Sequence, residues 1–197
     1  MKLSVSIMMH PSREQFLPYL SEKLGNPPVA MDRGQGIWDT RERATRLYDK
    51  FTDFHLVVQD DALICDNFFD LALAELEKHP DCAHSFYYGS RKRKEWVEIN
   101  RKALLDGGYM GGWYHWGVAI CLPVPIIDDC LRYCSRMKTL QNHDDTRIAN
   151  YIRHKGMKVW YPVPSLIDHR TDTPSLMENS EGPHRRRALR FVGGNNG

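Results

Sequence analysis

Short apolar runs recur along the chain, and between them apolar positions fall three and four residues apart, a pattern that predicts strand and helix in alternation. Leu3 to Met9 reads as a buried strand, and Ser12 with Gln15 reads as a capping box opening a helix towards Leu24, weakened by Pro18. Gly25-Asn26-Pro27-Pro28 breaks the chain before a short apolar run, Val29 to Met31, that ends on Asp32. A helix follows from Asp39, with Glu42 repeating the capping spacing, and should end near Phe51. The next strand, 55 to 59, stops at two adjacent acids, Asp60 and Asp61; Asp66 then reads as the N-cap of an amphipathic helix with apolar residues at 68, 69, 72, 73 and 76. Ala83 to Tyr88 is another strand, whereas 89 to 116 looks irregular. Regularity resumes with a strand at Val118 to Leu122, a helix from about Pro125 to Arg136, a helix over Asp144 to His154 and a last strand at Lys158 to Tyr161. This alternation predicts an α/β fold with a mostly parallel central sheet flanked by helices and right-handed crossovers. Ligands of such sheets bind at the carboxyl ends of strands, where Asp32 and Asp60-Asp61 fall.

Composition narrows the class. A chain of 197 residues, 42% hydrophobic, can bury one sizeable core. We expect one domain over 1–170 and a basic polar tail over 171–197 that ends disordered in GGNNG. The formal charge of +2 hides two basic clusters, Arg91-Lys92-Arg93-Lys94 and His184 to Arg190. Such clusters either face anionic partners or are solvated surface. Five cysteines without a CxxC pair suit a reduced, cytoplasmic protein. No run approaches the length of a bilayer-spanning helix, and the amino terminus lacks the pattern of a signal peptide.

The acid pair is the chief chemical signal. Adjacent carboxylates repel, so they hold a cation, share a proton or cap the next element. Magnesium or manganese bridging a diphosphate needs a few hard oxygen ligands from the protein, which two acids at a strand end supply. The plainer alternative is that either acid satisfies backbone N–H groups of the turn.

From Leu3 to about His169 these residues resemble the A-type glycosyltransferases (GT-A fold), whose D-x-D motif closes a central strand and holds the metal of a nucleotide-sugar diphosphate. Gln59-Asp60-Asp61 stands at that position, with Asp61 matching the metal-binding acid and Gln59 departing from the usual first acid. The resemblance implies a single-domain Rossmann-like fold and donor-binding roles for Asp32, Arg43, Asp60, Asp61, Trp116 and Gly117. Arg43 could equally be a surface helix residue, and Asp32 a turn acid. The segment HDDTRIANYIRHKG, 143 to 156, looks like the place where inverting members carry a catalytic base, making Asp145 the base and Asp144 the helix cap, or the reverse. His169 matches a late histidine ligand of the metal, with Asp168 beside it. The glycine- and aromatic-rich GGWYHWG would line the sugar and acceptor site, with Trp113, Tyr114, Arg91 and Arg93 on the acceptor side; a tryptophan-rich core corner is the plain alternative.

The function implied is a glycosyltransferase of hexosyltransferase type, dependent on Mn2+ or Mg2+, moving a sugar from a UDP donor to a hydroxyl with inversion. Compact phage enzymes that modify hydroxymethylpyrimidines in DNA are one such group, and basic clusters beside aromatics suit DNA. A surface glycan or lipid-linked saccharide is the competing acceptor. A nucleotidyltransferase is disfavoured because Met9-His10-Pro11-Ser12-Arg13-Glu14 stands where those enzymes carry a glycine- and lysine-rich loop. A non-catalytic nucleic-acid-binding module is the third reading, motivated by Gln59.

Overall fold

The first strand, β1 (Leu3–Met9), is buried along most of its length because helices cover both faces of the sheet it enters. The computed structural model describes residues 1–90, 94–137, 143–170, 172–173, 176 and 186–194. After β1 come α1 (Leu17–Leu24), β2 (Val29–Met31), α2 (Ile37–Thr45), β3 (Phe54–Gln59), β4 (Ala62–Ile64), α3 (Phe68–Lys78) and β5 (Ala83–Ser85). Then follow α4 (Lys94–Asp106), β6 (Gly108–Gly111), β7 (Ala119–Pro123), α5 (Ile127–Ser135), α6 (Asp144–His154), β8 (Val159–Pro162) and β9 (Ile167–His169). Seven strands form one sheet in the order β2-β1-β3-β7-β5-β8-β6, while β4 and β9 make a separate pair. From the pairings, β2, β1, β3, β5 and β8 run one way and β7 and β6 the other, so the sheet is mostly parallel.

Alternation along the strands divides the core between the faces. On β7, Ala119 and Cys121 join a cluster with Leu20, Phe68 and Leu76, while Ile120 and Leu122 join one with Ile127, Leu131, Ile148 and Ile152. Two registers set up the site. Parallel β1 and β3 align Met8 with Gln59, so the residues just beyond, His10 and Asp60, emerge together. Antiparallel β4 and β9 align Ala62 with His169, which returns the late histidine to the end of the acid motif.

Several expected boundaries change. The stretch 89 to 116 contains α4 and β6, because Trp96 and Ala103 turn inward to the second cluster. The first helical segment opens with a 3-10 turn, Pro11–Phe16, capped by the His10 ring accepting from Ser12 N; Pro18 sits in the first turn of α1, where its missing N–H costs little. The α2 helix starts at Ile37 after Gly36 and stops at Thr45. Asp66 does not cap α3; Asn67 holds that place in left-handed backbone, and Asp66 pairs with Lys23 instead. Residues 186–194 of the expected tail fold back: Leu189 N donates to Tyr88 O, Ser165 N donates to Arg190 O, and Ala188 is buried.

Candidate functional site

At the carboxyl ends of β1, β2 and β3 a cavity of about 930 Å³ opens, lined by Asp32, Gln59, Asp60, Asp61, Trp116, Gly117, Asp144, Asp145 and His169 among others. That volume falls in the range of small-molecule sites. A second hollow of about 320 Å³ beside α3 carries only the surface pair Lys23–Asp66 as close opposite charges, and we place the site in the larger one.

The acid pair divides its labour. Asp60 accepts from His10 N at 2.7 Å and from Arg13 Nη1 at 2.6 Å. Burial pushes the Asp60 carboxyl up, beyond what His10 N–H and Arg13 offset. Asp61 Oδ2 lies 3.3 Å from Arg13 Nη1 and 3.0 Å from Arg186 Nη1, while its Oδ1 lies 3.4 Å from His169 Nδ1. Burial acts to raise the Asp61 carboxyl, but His169, Arg13 and Arg186 outweigh it and hold the group well below the usual carboxylate range. Both Asp61 Oδ1 and His169 Nδ1 are buried without a hydrogen-bond partner among the described residues. Neighbouring ligands of one ion, with bonds of about 2.1 Å, stand roughly 3.0 Å apart, close to the gap between these two atoms. A carboxylate oxygen and an imidazole nitrogen left unsatisfied side by side fit a divalent cation. Among the described residues no group of three or more His, Cys, Asp or Glu forms a cation cage, so a bound ion would take its remaining ligands from elsewhere. Asp168 does not share this role: it is fully buried and accepts from Arg187 Nε and Ala188 N.

A second pair of acids begins α6. Asp144 is not a cap, since His143 occupies that position without a side-chain bond. Asp144 Oδ2 instead accepts from Arg41 Nε at 2.7 Å, and Arg41, 0% exposed, also donates to the carbonyl of Gly117. Among the described residues Asp145 Oδ1 accepts only from its neighbour Thr146, through N at 2.6 Å and Oγ1 at 3.3 Å. Burial and the Asp144 charge push the Asp145 carboxyl up against the smaller pull of Thr146 N–H and Arg41. Gly117 leaves room where these groups converge: a Cβ there would sit 3.2 Å from Gln59 Nε2, 3.3 Å from Arg41 Nη2 and 3.5 Å from Asp145 Cβ.

The other candidates separate into those brought to the cavity and those not. Asp32 lines it, with Oδ1 accepting from Gly34 N in a turn. Arg43 is tied to Asp39 and to the Met31 carbonyl, at the end of β2 but off the cavity wall. Trp116 and Gly117 line the cavity, and Trp116 packs against Gly89, where a Cβ would lie 2.8 Å from the indole. Tyr114 is corrected to a core residue: it is 1% exposed and its hydroxyl lies 2.8 Å from the carbonyls of His84 and Cys121. Trp113 is half-buried against the second cluster and does not line the cavity. Arg91 and Arg93 lie outside the described residues. Residues passed over in the sequence are His10, Arg13, Arg41 and Arg186. The only signals for them were a basic residue in the turn after β1, an arginine two before Arg43, and the late arginine cluster.

No family model matches this chain and no curated protein sequence matches it. Solved structures do. A197 from STIV matches with a TM-score of 0.51 at 12% identity, over 95% of this chain and 94% of that one. S. aureus TarS matches at 0.51 and 12% identity over 82% of this chain and 36% of its own. GalNAc-T7, crystallised with UDP, GalNAc and Mn2+, matches at 0.54 and 11% identity over 92% of this chain and 47% of its own. This chain therefore spans less than half the length of the latter two. These neighbours include glycosyltransferases, and what this chain shares with them is a GT-A-like fold.

Proposed function

We propose that this protein is a metal-dependent glycosyltransferase that moves a hexose from a nucleotide donor, UDP-linked, to an acceptor hydroxyl with inversion. The observation that carries the reading is the unsatisfied Asp61 Oδ1 and His169 Nδ1, 3.4 Å apart, in a cavity also lined by Asp145. The solved GalNAc-T7 neighbour, with UDP, GalNAc and Mn2+ in its crystal, supports a divalent ion and a UDP-sugar at this place. Asp61 and His169 would hold Mn2+ or Mg2+, which when bound supplies positive charge to a departing diphosphate. Asp32, Gln59 and Trp116 line the same cavity, and in this reading they would contact the nucleoside and the sugar.

In the transfer, the acceptor oxygen attacks the anomeric carbon as the bond from that carbon to the diphosphate oxygen breaks, and Asp145 takes the hydroxyl proton. A carboxyl pushed up by burial and by Asp144 is a stronger base than an exposed one, while Asp144 is engaged by Arg41 Nε. For the acceptor we choose a hydroxymethylpyrimidine in DNA, supported by the basic run Arg91-Lys92-Arg93-Lys94 of the sequence; in the later cluster Arg186 and Arg187 are taken up by Asp61 and Asp168. Reduced cysteines, all five without a disulfide, and the absence of any membrane-length helix among the described residues support a cytoplasmic setting.

The test is a thermal-shift screen of UDP, other nucleoside diphosphates and their sugars, each with Mn2+, Mg2+ or chelator. The reading requires a metal-dependent rise for a uridine compound that Asp61→Ala abolishes; no shift with any of them would end it. Product stereochemistry by NMR then tests inversion, and salt-sensitive binding of hydroxymethylated DNA tests the acceptor.

A further inference from the structure

Arg186 is a cavity cation on a segment that neighbouring residues also hold in place. The segment that carries it is already held by its neighbours: Arg187 Nε donates to Asp168 at 2.6 Å, Ala188 N to Asp168 at 2.7 Å and Leu189 N to Tyr88 O at 2.8 Å. Val192 N, donating to Ser165 O at 3.0 Å, closes the far end. Arg186 points the other way, into the cavity, with 15% of its side chain exposed. Its Nη1 lies 3.0 Å from Asp61 Oδ2 and its Nη2 donates to Thr173 O at 2.9 Å, but its Nε is buried with no hydrogen-bond partner among the described residues. A guanidinium has five N–H donors, and a buried one left unused costs stability unless something accepts from it.

Charge in this corner is balanced before any ligand enters. Asp60 and Asp61 face Arg13 and Arg186, so the two acids that should attract a divalent cation already have two cations against them. Asp61 is divided, with Oδ2 turned to the guanidiniums and Oδ1 to His169. A cation approaching Oδ1 meets the repulsion of Arg186 across the same carboxylate, whereas an anion arriving at the cavity side of Arg186 is attracted.

Resting on the reading of this cavity as a diphosphate site, we propose that Arg186 is a diphosphate-binding residue that in this structure serves as counter-cation to Asp61. Arg186 thereby opposes metal binding without a nucleotide and favours the two together. Its Nη1, once drawn from Asp61, donates to a phosphate oxygen, and the guanidinium charge faces the diphosphate. The consequence is a pair of effects of opposite sign: loss of Arg186 weakens diphosphate binding and strengthens binding of the bare ion. A merely structural arginine would weaken both.

Calorimetric titration of the full chain tests this with three probes: Mn2+ alone, UDP in saturating Mn2+, and inorganic pyrophosphate in saturating Mn2+. For Arg186→Gln we expect UDP and pyrophosphate affinity to fall roughly tenfold or more, the share of one charge-assisted pair, while Mn2+ affinity rises severalfold. Arg186→Lys should keep most of the diphosphate affinity, and Arg190→Gln, exposed on the same segment, should match the wild type on all three. Unchanged diphosphate affinity in Arg186→Gln would overturn the proposal, as would a parallel loss for all three probes with a lowered melting temperature. Wild-type protein that binds pyrophosphate but no nucleoside diphosphate, with the Arg186→Gln signature intact, would sustain the role of Arg186 and remove the nucleotide-sugar reading. Wild-type protein that binds Mn2+ through Asp61 but neither diphosphate would overturn the role of Arg186 and leave the metal site standing.

Discussion

Acid should loosen the central strand that delivers the acid motif, and His55 is the reason. It lies on β3, 1% exposed, with Nδ1 2.9 Å from Ser4 Oγ, and Nε2 3.0 Å from Ser6 Oγ and 3.2 Å from Ala44 O. Nε2–H donates to the Ala44 carbonyl and Nδ1 accepts from Ser4, which satisfies a neutral ring. Burial lowers the imidazole from 6.5 to about 4, against the smaller upward pull of the Ala44 and Ser4 bonds. The unfolded chain therefore binds a proton between those values that the folded chain refuses, so stability is complete above the unfolded value and drains away as pH falls towards the folded one. Between about pH 7 and about pH 5 the loss from this one group comes to about 2 kcal/mol, and continuing to about pH 4 brings it to about 3 kcal/mol. Against a total of roughly 5–15 kcal/mol that is a large fraction. Urea unfolding at the two pH values, followed by tryptophan fluorescence, measures it, with His55→Gln as the comparison. The variant is weaker at neutral pH, yet its further loss on acidification should be smaller than the wild type's by about 2 kcal/mol. Equal losses in the two proteins would show that the ring is charged in the fold and refute the reasoning. His84, also lowered to about 4 by burial, adds a second loss of the same sign.

Four more outcomes are expected. Asp145→Asn should cut turnover by about 10²–10⁴-fold with donor binding intact by calorimetry, as removal of a general base does. As the proposed base Asp145 would act ionised, and its carboxyl is pushed up, so activity should fail on the acid side above the ordinary carboxylate range; Asp144→Asn removes part of that push and should move the acid limb of the pH–rate profile lower. Arg13→Met leaves buried Asp60 without its cation and should cost about 3–5 kcal/mol in chelator, measured by urea unfolding. Tyr114→Phe should cost about 1–2 kcal/mol by uncovering a buried carbonyl, with acceptor KM unchanged; a raised KM would return Tyr114 to the acceptor site.

Strand-helix alternation and the strand-end acids were legible because both are local: a buried parallel strand declares itself within a few residues, and Asp32, Gln59, Asp60 and Asp61 follow directly from where strands stop. The short strands were not. β4 and β9, three residues each, exist only because they pair with each other across more than a hundred positions, and they are what returns His169 to Asp61. Its placement was readable only through resemblance. The α4 helix was hidden for another reason: its exposed Val97, Leu104 and Leu105 blur the contrast between an inward and an outward face, on which periodicity depends.

The cations of the site mark the deeper limit. Arg41 meets Asp144 at 103 residues' separation and Arg186 meets Asp61 at 125, so no spacing rule links them. Composition placed Arg186 in a basic cluster and Arg41 in an arginine-rich helix, and charge runs usually are solvated surface. A buried carboxylate, however, demands a counter-charge, and a chain with five acids lining one cavity must bring cations to it from somewhere. Asp60, Asp61, Asp144 and Asp145 all line this cavity, and Asp60, Asp61 and Asp144 are held by Arg13, Arg186 and Arg41. Among the described residues Asp32 and Asp145 are the cavity acids with no arginine bound to them; Asp32 is engaged by Gly34 N and Asp145 by Thr146 beside the Arg41–Asp144 pair, which is the ground on which the proposed reading gives Asp145 the proton of the acceptor hydroxyl.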